Sequence, residues 1–194
     1  ILHQSGFKEK VMTRQLFRIL LFIFASSTMS QTTELKLYRA YGENHPLIIT
    51  EEQQGHCWQP SKLLTREDAW RCQTNHAIYD PCFISPFSDS SKAFCPDSPW
   101  DTKIVQINLP TKALAHSSKL DMSRAYPWAI KLAEGQTCLA ITSSKKHDNQ
   151  PIRYRCTNDI WLFGKLQRCK MPWRILALDQ HQQVTTVILK EAWF

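Results

Sequence analysis

The sequence predicts a mainly β protein in which an antiparallel meander forms a small barrel or sandwich, with one short helix and a disulfide-rich, irregular N-terminal half. Two observations predict this class. From residue 103 onward, short segments alternate apolar and polar residues and are separated by turn residues, a pattern typical of half-buried strands. The chain also has seven cysteines in 194 residues, a length that suffices for one domain with a core.

Residues 1–30 have the layout of a secretory signal peptide. Two arginines precede the apolar run Ile19–Ala25, and small polar residues follow up to Ser30. The run is shorter than the ~20 residues that a membrane-spanning helix needs. We therefore expect cleavage near Ser30 and no stable membrane span afterwards. Because residues 1–11 contain no methionine, we expect translation to start at Met12, after upstream read-through.

The charge of the chain argues against a nucleic-acid partner. The net charge is +7, but residues 1–30 hold four basic residues against one acidic residue, so the remainder carries +4. A nucleic-acid interface needs basic residues clustered on one face with aromatic residues placed to stack on bases. Here Lys145-Lys146 is the only short basic run in the middle of the chain.

The region that follows the signal shows little periodicity. Residues 31–56 are interpreted as an N-terminal extension with one strand-like stretch, Leu35–Tyr41. In Thr65–Arg71 a threonine can cap the N-terminus and acidic residues fill the first turn, which predicts a short helix with Trp70 turned inward. Up to Trp100 the chain is rich in proline and serine, so we expect disulfides to hold this region together.

Residues 57–194 are expected to form a single disulfide-stapled β domain, with the meander as its second half. A glycine in the tight turn Ala133–Gln136 accepts a positive φ, and folding about this turn sets Ile130 opposite Leu139. Residues 111–127 have no clear period and indicate a long loop. The predicted strands of the meander are Val105–Leu109, Trp128–Leu132, Cys138–Thr142, Ile152–Cys156, Ile160–Leu166, Trp173–Leu178 and Val184–Leu189.

The most specific structural prediction is a disulfide bond between Cys138 and Cys156. The runs Cys138–Thr142 and Ile152–Cys156 have equal length, and the polar linker between them ends in proline, so they are expected to form a hairpin. Folding it symmetrically about His147 places the two cysteines directly opposite each other, at a separation that a disulfide can bridge.

The same register places two arginines on a partly apolar face. Arg153 and Arg155 would lie beside Leu139 and Ile141. Two arrangements would accommodate them. The arginines could lie at a barrel rim with their stems packed and their head groups in water, or a bulge could shift the strand.

Few residues suggest catalysis. The chain has no Gly-x-Ser-x-Gly elbow, which argues against a serine hydrolase. If Cys169 is unpaired, Arg168 and Lys170 would favour its thiolate, and His181 in the next turn could serve as a base. An exposed spare thiol is the simpler interpretation, because nothing in the sequence suggests an oxyanion site.

Metal binding has weak support. His56 and His76 flank cysteines and could hold zinc or copper together with thiolates. The sequence lacks a closely spaced ligand set and has no Cys-x-x-Cys, so surface histidines beside disulfides are the simpler interpretation. We expect no cofactor.

Ligand binding has more candidates. Tryptophan-rich β domains often bind sugars or peptides through stacked rings, although tryptophan also fills small cores. Trp58 and Trp100 lie in predicted loops and are better placed for binding than Trp128 and Trp173, which begin strands. Lys145 and Lys146 complete the set of binding candidates.

Six segments together resemble an uncharacterised small domain of secreted or lipid-anchored actinobacterial proteins: Cys57-Trp58, Arg66–Cys72, Ile78–Phe83, Cys95–Trp100, Pro127–Cys138 and Tyr154–Cys156. The resemblance covers roughly residues 57–175 and implies no activity. It implies six shared cysteines (Cys57, Cys72, Cys82, Cys95, Cys138 and Cys156), which leaves Cys169 as the odd one. The segment Gly164–Cys169 departs from the more acidic actinobacterial version, which puts any site there in doubt. The scarcity of glycine is a second departure, and it favours a Gram-negative host.

The sequence leaves three functions open. The first is a non-catalytic binding or accessory module in the periplasm or outside the cell, with a cell-envelope component or another protein as its ligand. The second is a small cysteine-dependent hydrolase or redox enzyme that uses Cys169 and His181. The third is a secreted inhibitor or effector acting on another protein, with residues 86–99 as its exposed loop.

Overall fold

A computed structural model describes residues 32–41, 47–87, 90–113 and 116–194, all of which belong to one compact unit. The predictions for residues 1–30 lie outside the described residues. Apart from one 3-10 turn at Thr157–Asp159, the regular structure of the described residues is entirely β. The strands are β1 Glu34–Lys36, β2 Ile48–Pro60, β3 Ala69–Thr74, β4 Ile78–Phe83, β5 Lys92–Pro96, β6 Lys103–Asn108, β7 Ala129–Leu132, β8 Thr137–Ala140, β9 Lys146–His147, β10 Gln150–Cys156, β11 Trp161–Gln167, β12 Arg174–Leu178 and β13 Val184–Trp193.

The first five-stranded sheet, β2 to β6, is a closed barrel. Successive strands pair antiparallel, and β2 closes the barrel by pairing parallel with β6. The long strand β2 changes neighbour at Gly55, since residues 48–54 pair with β6 and residues 55–60 pair with β3. A Cβ atom at Gly55 would overlap the carbonyl oxygen of Gln73, so this close approach requires glycine.

The second sheet contains the predicted meander except its first strand, because Val105–Leu109 falls largely in β6 and pairs within the first barrel. Its strands β7, β8, β10, β11, β12 and β13 pair antiparallel in a ring that the β13–β7 pairing closes. Strand β1 adds to β13 in parallel, and the short β9 folds back on β10. The mainly β, antiparallel class is therefore confirmed, and the alternative between barrel and sandwich is resolved in favour of barrels.

An aromatic cluster joins the cores of the two barrels. The ring of Phe83, in β4, lies 5.2 Å from that of Tyr38 and 6.0 Å from that of Trp128, centroid to centroid. All three side chains are buried within the larger apolar core, which includes residues of both barrels. Burial raises the pKa of Tyr38 to about 12, so its hydroxyl stays neutral at physiological pH.

A buried ion pair borders this cluster. Arg66 pairs with Asp68 and donates hydrogen bonds to the carbonyl oxygens of Tyr38, at 2.7 Å, and Phe194, at 2.9 Å. The guanidinium therefore connects the β2–β3 loop to the segment after β1 and to the C-terminal residue. Its charge is compensated and its donors are used, which is the condition for burying such a group.

The predicted bond between Cys138 and Cys156 is confirmed. The cysteines are paired residues of β8 and β10, with Cα atoms 3.8 Å apart, in the register that symmetry about His147 predicts. The structure also pairs Cys57 with Cys72 and Cys82 with Cys95, and it leaves Cys169 free and exposed. This is the division of cysteines that the resemblance implied.

The arginines of β10 are accommodated without loss of that register. Arg155 lies opposite Leu139, and its side chain is 63% exposed. Arg153 stacks over the ring of Tyr126, 4.0 Å from the centroid, and donates to the carbonyl oxygen of Gly164. A bulge exists, but it affects the pairing of β10 with β11 and not its pairing with β8.

The short helix predicted over Thr65–Arg71 is wrong. The chain turns at residues 67–68 and enters β3 at Ala69. The helical signal rested on acidic residues able to fill a first turn, but Asp68 is buried by its pairing with Arg66, and that pairing fixes the backbone outside a helix. Trp70 is buried, as predicted.

The expectation of an irregular N-terminal half is also wrong. Residues 57–100 contain most of β3, β4 and β5, and residues 31–56, expected to be an extension, contribute β1 and much of β2. The periodicity of β2 is hidden because Thr50–Gln54 is polar on both faces. The many disulfides of this half are confirmed.

The predicted pairing around Ala133–Gln136 is wrong by one residue. Ile130 lies opposite Cys138 rather than Leu139. Gly135 adopts the expected positive φ of +100°, but Leu132 pairs with Gln136, so the loop has three residues and not two. A one-residue shift exchanges the faces of a strand, and it places Leu139 on the outside of the barrel.

Candidate functional site

Four residues from four neighbouring strands form a row on the outer face of the second barrel. Arg155 is the Cα partner of Leu139 on one side and of Trp161 on the other, and Trp161 is the partner of Leu178. We call these four residues the outer row. Strands lie about 4.8 Å apart, so the outer row is roughly 14 Å long.

Neighbouring residues show that the outer row faces away from the core. Tyr154, Leu162 and Ala177 precede or follow members of the outer row in their strands, and all three belong to the buried apolar core. Successive residues of a strand point to opposite faces, which directs the outer row outward, although Leu178 is itself buried at this face. Burial strongly raises the pKa of the Tyr154 hydroxyl beneath it, and this hydroxyl donates to the carbonyl oxygen of Pro127.

A stacked pair occupies the middle of the outer row. The guanidinium carbon of Arg155 lies 5.6 Å from the centroid of the Trp161 ring, within the range of a cation–π interaction. The only acidic partner of Arg155 among the described residues is Asp159, at 3.8 Å and exposed. Arg155 therefore keeps much of its charge available to solvent or to a ligand.

A groove of about 440 Å³ opens on the Trp161 side of this pair. Trp161, Leu178 and Ile152 supply apolar surface, and the groove is also lined by Lys145, Lys146, His147 and Gln182. We call it the lysine groove. Across the described parts of the chain, neither lysine has an acidic group within 4.0 Å, so two uncompensated cationic residues line the groove together with its apolar residues.

The β9–β10 hairpin positions these lysines. Asp148 and Asn149 adopt left-handed φ values of 48° and 61° at its turn, conformations that Asp and Asn tolerate. The ring of His147 packs edge-on against Phe163 at 4.9 Å. The side-chain amide oxygen of Gln150 lies so close to Gly164 of β11 that a Cβ atom at position 164 would overlap it. These contacts hold the hairpin against the outer face of β11.

A second groove, of about 450 Å³, opens on the Arg155 side of the stacked pair. It lies where the β5–β6 loop of the first barrel approaches β8 and β10 of the second. Trp100, Asp101, Leu139 and Arg155 are among its lining residues. We call it the junction groove. The carboxylate of Asp101 accepts a hydrogen bond of 2.6 Å from the Ser98 hydroxyl, which orients it.

Three of the four predicted binding residues line these two grooves. Trp100 lies in the junction groove, and Lys145 and Lys146 lie in the lysine groove. Trp58 lies elsewhere, 41% exposed on β2, between the ring of His56 and the guanidinium of Arg71. It is in a strand and not in the predicted loop.

The weak metal candidates receive no support. His56 is in β2, where its ring contacts Trp58, and His76 is exposed in the turn between β3 and β4. Among the residues that the structure describes, no group of three or more His, Cys, Asp or Glu side chains could hold a metal ion.

The structure does not bring Cys169 and His181 together. Cys169 lies between β11 and β12, and His181 lies between β12 and β13, so the two residues lie beyond opposite ends of β12. The five residues of that strand span roughly 13 Å. The sequence proximity of the two loops suggested a pairing that the antiparallel meander prevents.

Two residues of the grooves were missed by sequence reasoning. Arg155 was noticed only as a difficulty for the hairpin register, and Trp161 only as part of a strand. The signal for Arg155 was available, because aligning Cys138 with Cys156 also places Arg155 opposite Leu139. Trp161 could not be found in this way, since its partner depends on the bulge between β10 and β11.

The loop considered for an inhibitor is partly regular. Residues 92–96 form β5, and Cys95 ties this strand to Cys82 of β4. Phe87 is 92% exposed. The inhibitor function stays a hypothesis.

Comparisons with known proteins identify no relative: the chain matches no protein-family model, no curated protein and no solved structure. Within its described residues, the protein has no helix of sufficient length and apolar character to cross a membrane. The three disulfides are compatible with an extracellular or secreted protein.

Proposed function

We propose that this protein is an exported, non-catalytic binding module whose ligand is an anionic glycan of a cell envelope, held in the lysine groove. One observation carries the proposal: Lys145 and Lys146, which have no acidic partner among the described residues, line the same groove as Trp161, Leu178 and Ile152. Export is supported by the secretory layout of residues 1–30 and by the three disulfides.

The groove suits the two chemical surfaces of an acidic sugar. The faces of a sugar ring carry C–H groups that pack on an aromatic ring, and its carboxylate or phosphate accepts charge-assisted hydrogen bonds from ammonium groups. The lysines are exposed, so each contributes modestly, and affinity is expected to fall as salt is added.

A glycan fits this surface better than an acidic peptide or a nucleic acid. Extended peptides commonly bind by pairing with a free strand edge. At the outer row β10 and β11 are paired on both sides, and β9, which among the described strands pairs only with β10, is two residues long. Nucleic acids favour a dense basic surface, and here Asp159 pairs with Arg155 and Asp101 lines the same groove as Arg155. The resemblance to exported bacterial domains is in line with an envelope ligand.

Binding to defined polymers tests the proposal. The oxidised protein is titrated by calorimetry with hyaluronan, polygalacturonate and neutral dextran, with single-stranded DNA and polyglutamate as further arms. We expect binding to at least one acidic glycan and none to dextran. Removing both lysines in K145A/K146A should weaken that binding about tenfold, equivalent to about 1.4 kcal/mol.

The matched control removes two lysines from the other barrel. K103A/K112A makes the same change in net charge, and neither of these exposed lysines lines a groove described above. Equal losses in the two double variants would contradict a site in the lysine groove. Binding of DNA or polyglutamate as tight as that of the glycans, or no binding of either acidic glycan, would contradict the glycan.

A further inference from the structure

The two grooves are parts of one surface. The outer row runs from Leu139 in the junction groove, through Arg155 and Trp161, to Leu178 in the lysine groove. No backbone separates the two grooves at this row, because its members are directly opposed neighbours on adjacent strands. The stacked Arg155–Trp161 pair is the floor between them.

The charges along this surface differ from end to end. The lysine groove has two ammonium groups, the middle has the guanidinium of Arg155, and the junction groove has the carboxylate of Asp101 beside the Trp100 indole. An acidic group would be attracted to the first two regions and repelled at the third. A neutral sugar suits the junction groove, because Asp101 can accept hydrogen bonds from hydroxyl groups and the indole can pack on a ring.

We infer that the junction groove is a second subsite, and that the ligand is an unbranched polysaccharide chain of acidic and neutral sugars that spans both grooves. This inference rests on the proposed function. The outer row is roughly 14 Å long and a groove lies at each end, so the whole surface accommodates several consecutive sugar residues. Acidic sugars lie against Lys145, Lys146 and Arg155, and a neutral sugar lies against Trp100.

The rigidity of the surface favours such a ligand. Cys156 lines the junction groove and is bonded to Cys138 of β8, so the register of β8 and β10 is fixed where the groove forms. Preformed sites lose less conformational entropy on binding than mobile ones. Each further sugar that reaches the second subsite therefore adds affinity.

Ligand length is the variable that tests the inference. Hyaluronan oligosaccharides, in which uronic acid and neutral hexosamine alternate, are compared by calorimetry as a disaccharide, which is shorter than the outer row, and a decamer. The decamer should bind about five- to tenfold more tightly, because only it spans from the lysine groove to Trp100. W100A should remove that gain and leave the affinity for the disaccharide unchanged. W58A, which removes an exposed tryptophan outside both grooves, should change neither affinity.

A second variant is needed because Trp100 also packs on the core, so W100A removes core packing as well as the proposed sugar contact. Thr137 lines the junction groove and is partly exposed, so T137E adds a carboxylate there without removing core packing. It should weaken binding of the decamer and not of the disaccharide.

The outcomes separate the inference from the proposed function. Equal affinities for disaccharide and decamer, or equal losses for both ligands in W100A and T137E, would overturn the two-groove ligand while leaving the lysine groove intact. Binding of polygalacturonate without binding of either hyaluronan oligomer would overturn the assignment of a neutral sugar to Trp100. Binding of no acidic glycan at all would overturn the proposed function itself.

Discussion

At the scale of single residues, the buried ion pair of Arg66 and Asp68 carries the largest local consequence for stability. Arg66 reaches three parts of the chain that are far apart in sequence, through Asp68, Tyr38 and Phe194. Removing one member of a buried pair leaves the other charge without compensation, which costs more than the pair itself contributes.

We expect R66A to lower the free energy of unfolding by about 3–5 kcal/mol, because Asp68 keeps the Tyr41 hydroxyl but loses its cationic partner, and two carbonyl oxygens lose their donor. Urea denaturation followed by far-UV circular dichroism measures the change. R124A is the control, since Arg124 pairs with Asp121 at the surface and is 90% exposed. It should change stability by less than about 0.5 kcal/mol. Similar values for the two variants would contradict the structural role given to Arg66.

At the scale of elements, the pairing of β2 depends on Gly55, the position at which its neighbour changes from β6 to β3. Gly55 pairs with Thr74 of β3, while the residue before it pairs with Asn108 of β6. No side chain fits there, because the backbone of Gln73 and the Ile107 side chain occupy the space a Cβ atom would take.

G55A is therefore expected to destabilise the protein by about 2–4 kcal/mol, because backbone atoms must separate to admit the methyl group. G135A makes the same chemical change in the β7–β8 turn, where a Cβ atom would meet nothing within 4 Å. Its cost is limited to the positive φ, about 1–2 kcal/mol. Thermal unfolding of both variants measures the difference, and a smaller effect at Gly55 than at Gly135 would show that β2 and β3 do not approach as described.

Elements also separate residues that the sequence places close together. Cys169 and His181 are only twelve positions apart, yet one short antiparallel strand puts them beyond its opposite ends. Arg155 and Trp161 are separated by six positions and become direct neighbours across two strands. Sequence distance thus suggested that Cys169 and His181 approach each other, whereas strand direction decides which loops meet.

At the scale of the whole molecule, two barrels share a core and each is tied by disulfides within its own sheet. Cys57–Cys72 and Cys82–Cys95 lie in the first barrel, and Cys138–Cys156 lies in the second. Each bond closes a loop of 13 to 18 residues. Loops of this length correspond to about 3 kcal/mol of stabilisation apiece in the chain-entropy description.

The double variant C138S/C156S should lose about 2–4 kcal/mol of stability, whereas C169S should lose almost none because its thiol is free and exposed. Denaturant titration under oxidising conditions measures both. Adding reductant should lower the melting temperature of the unmodified protein sharply. A stable C138S/C156S variant, or a melting temperature that reductant leaves unchanged, would contradict the contribution assigned to these bonds.

Export is the remaining prediction for the whole chain. Expressed in a bacterium from Met12, the protein should be found outside the cytoplasm with its N-terminus close to Gln31, because the apolar run before Ser30 fits a signal peptide. Fractionation and N-terminal sequencing measure this. Intact protein in the cytoplasm would contradict the prediction.

The sequence by itself determined those features that depend on local pattern. Period-two alternation located the strands of the second barrel, and the equal lengths of two strands around a polar loop determined the Cys138–Cys156 bond and its register. Tertiary structure decided what depends on contacts between distant segments. The Arg66–Asp68 ion pair holds Thr65–Arg71 in a non-helical conformation. The polar segment β2 is a strand because it pairs with β3 and β6. Tertiary structure also assembled the two grooves, because only closure of the barrel and the bulge in β10 bring Trp100, Arg155, Trp161 and the two lysines to one face.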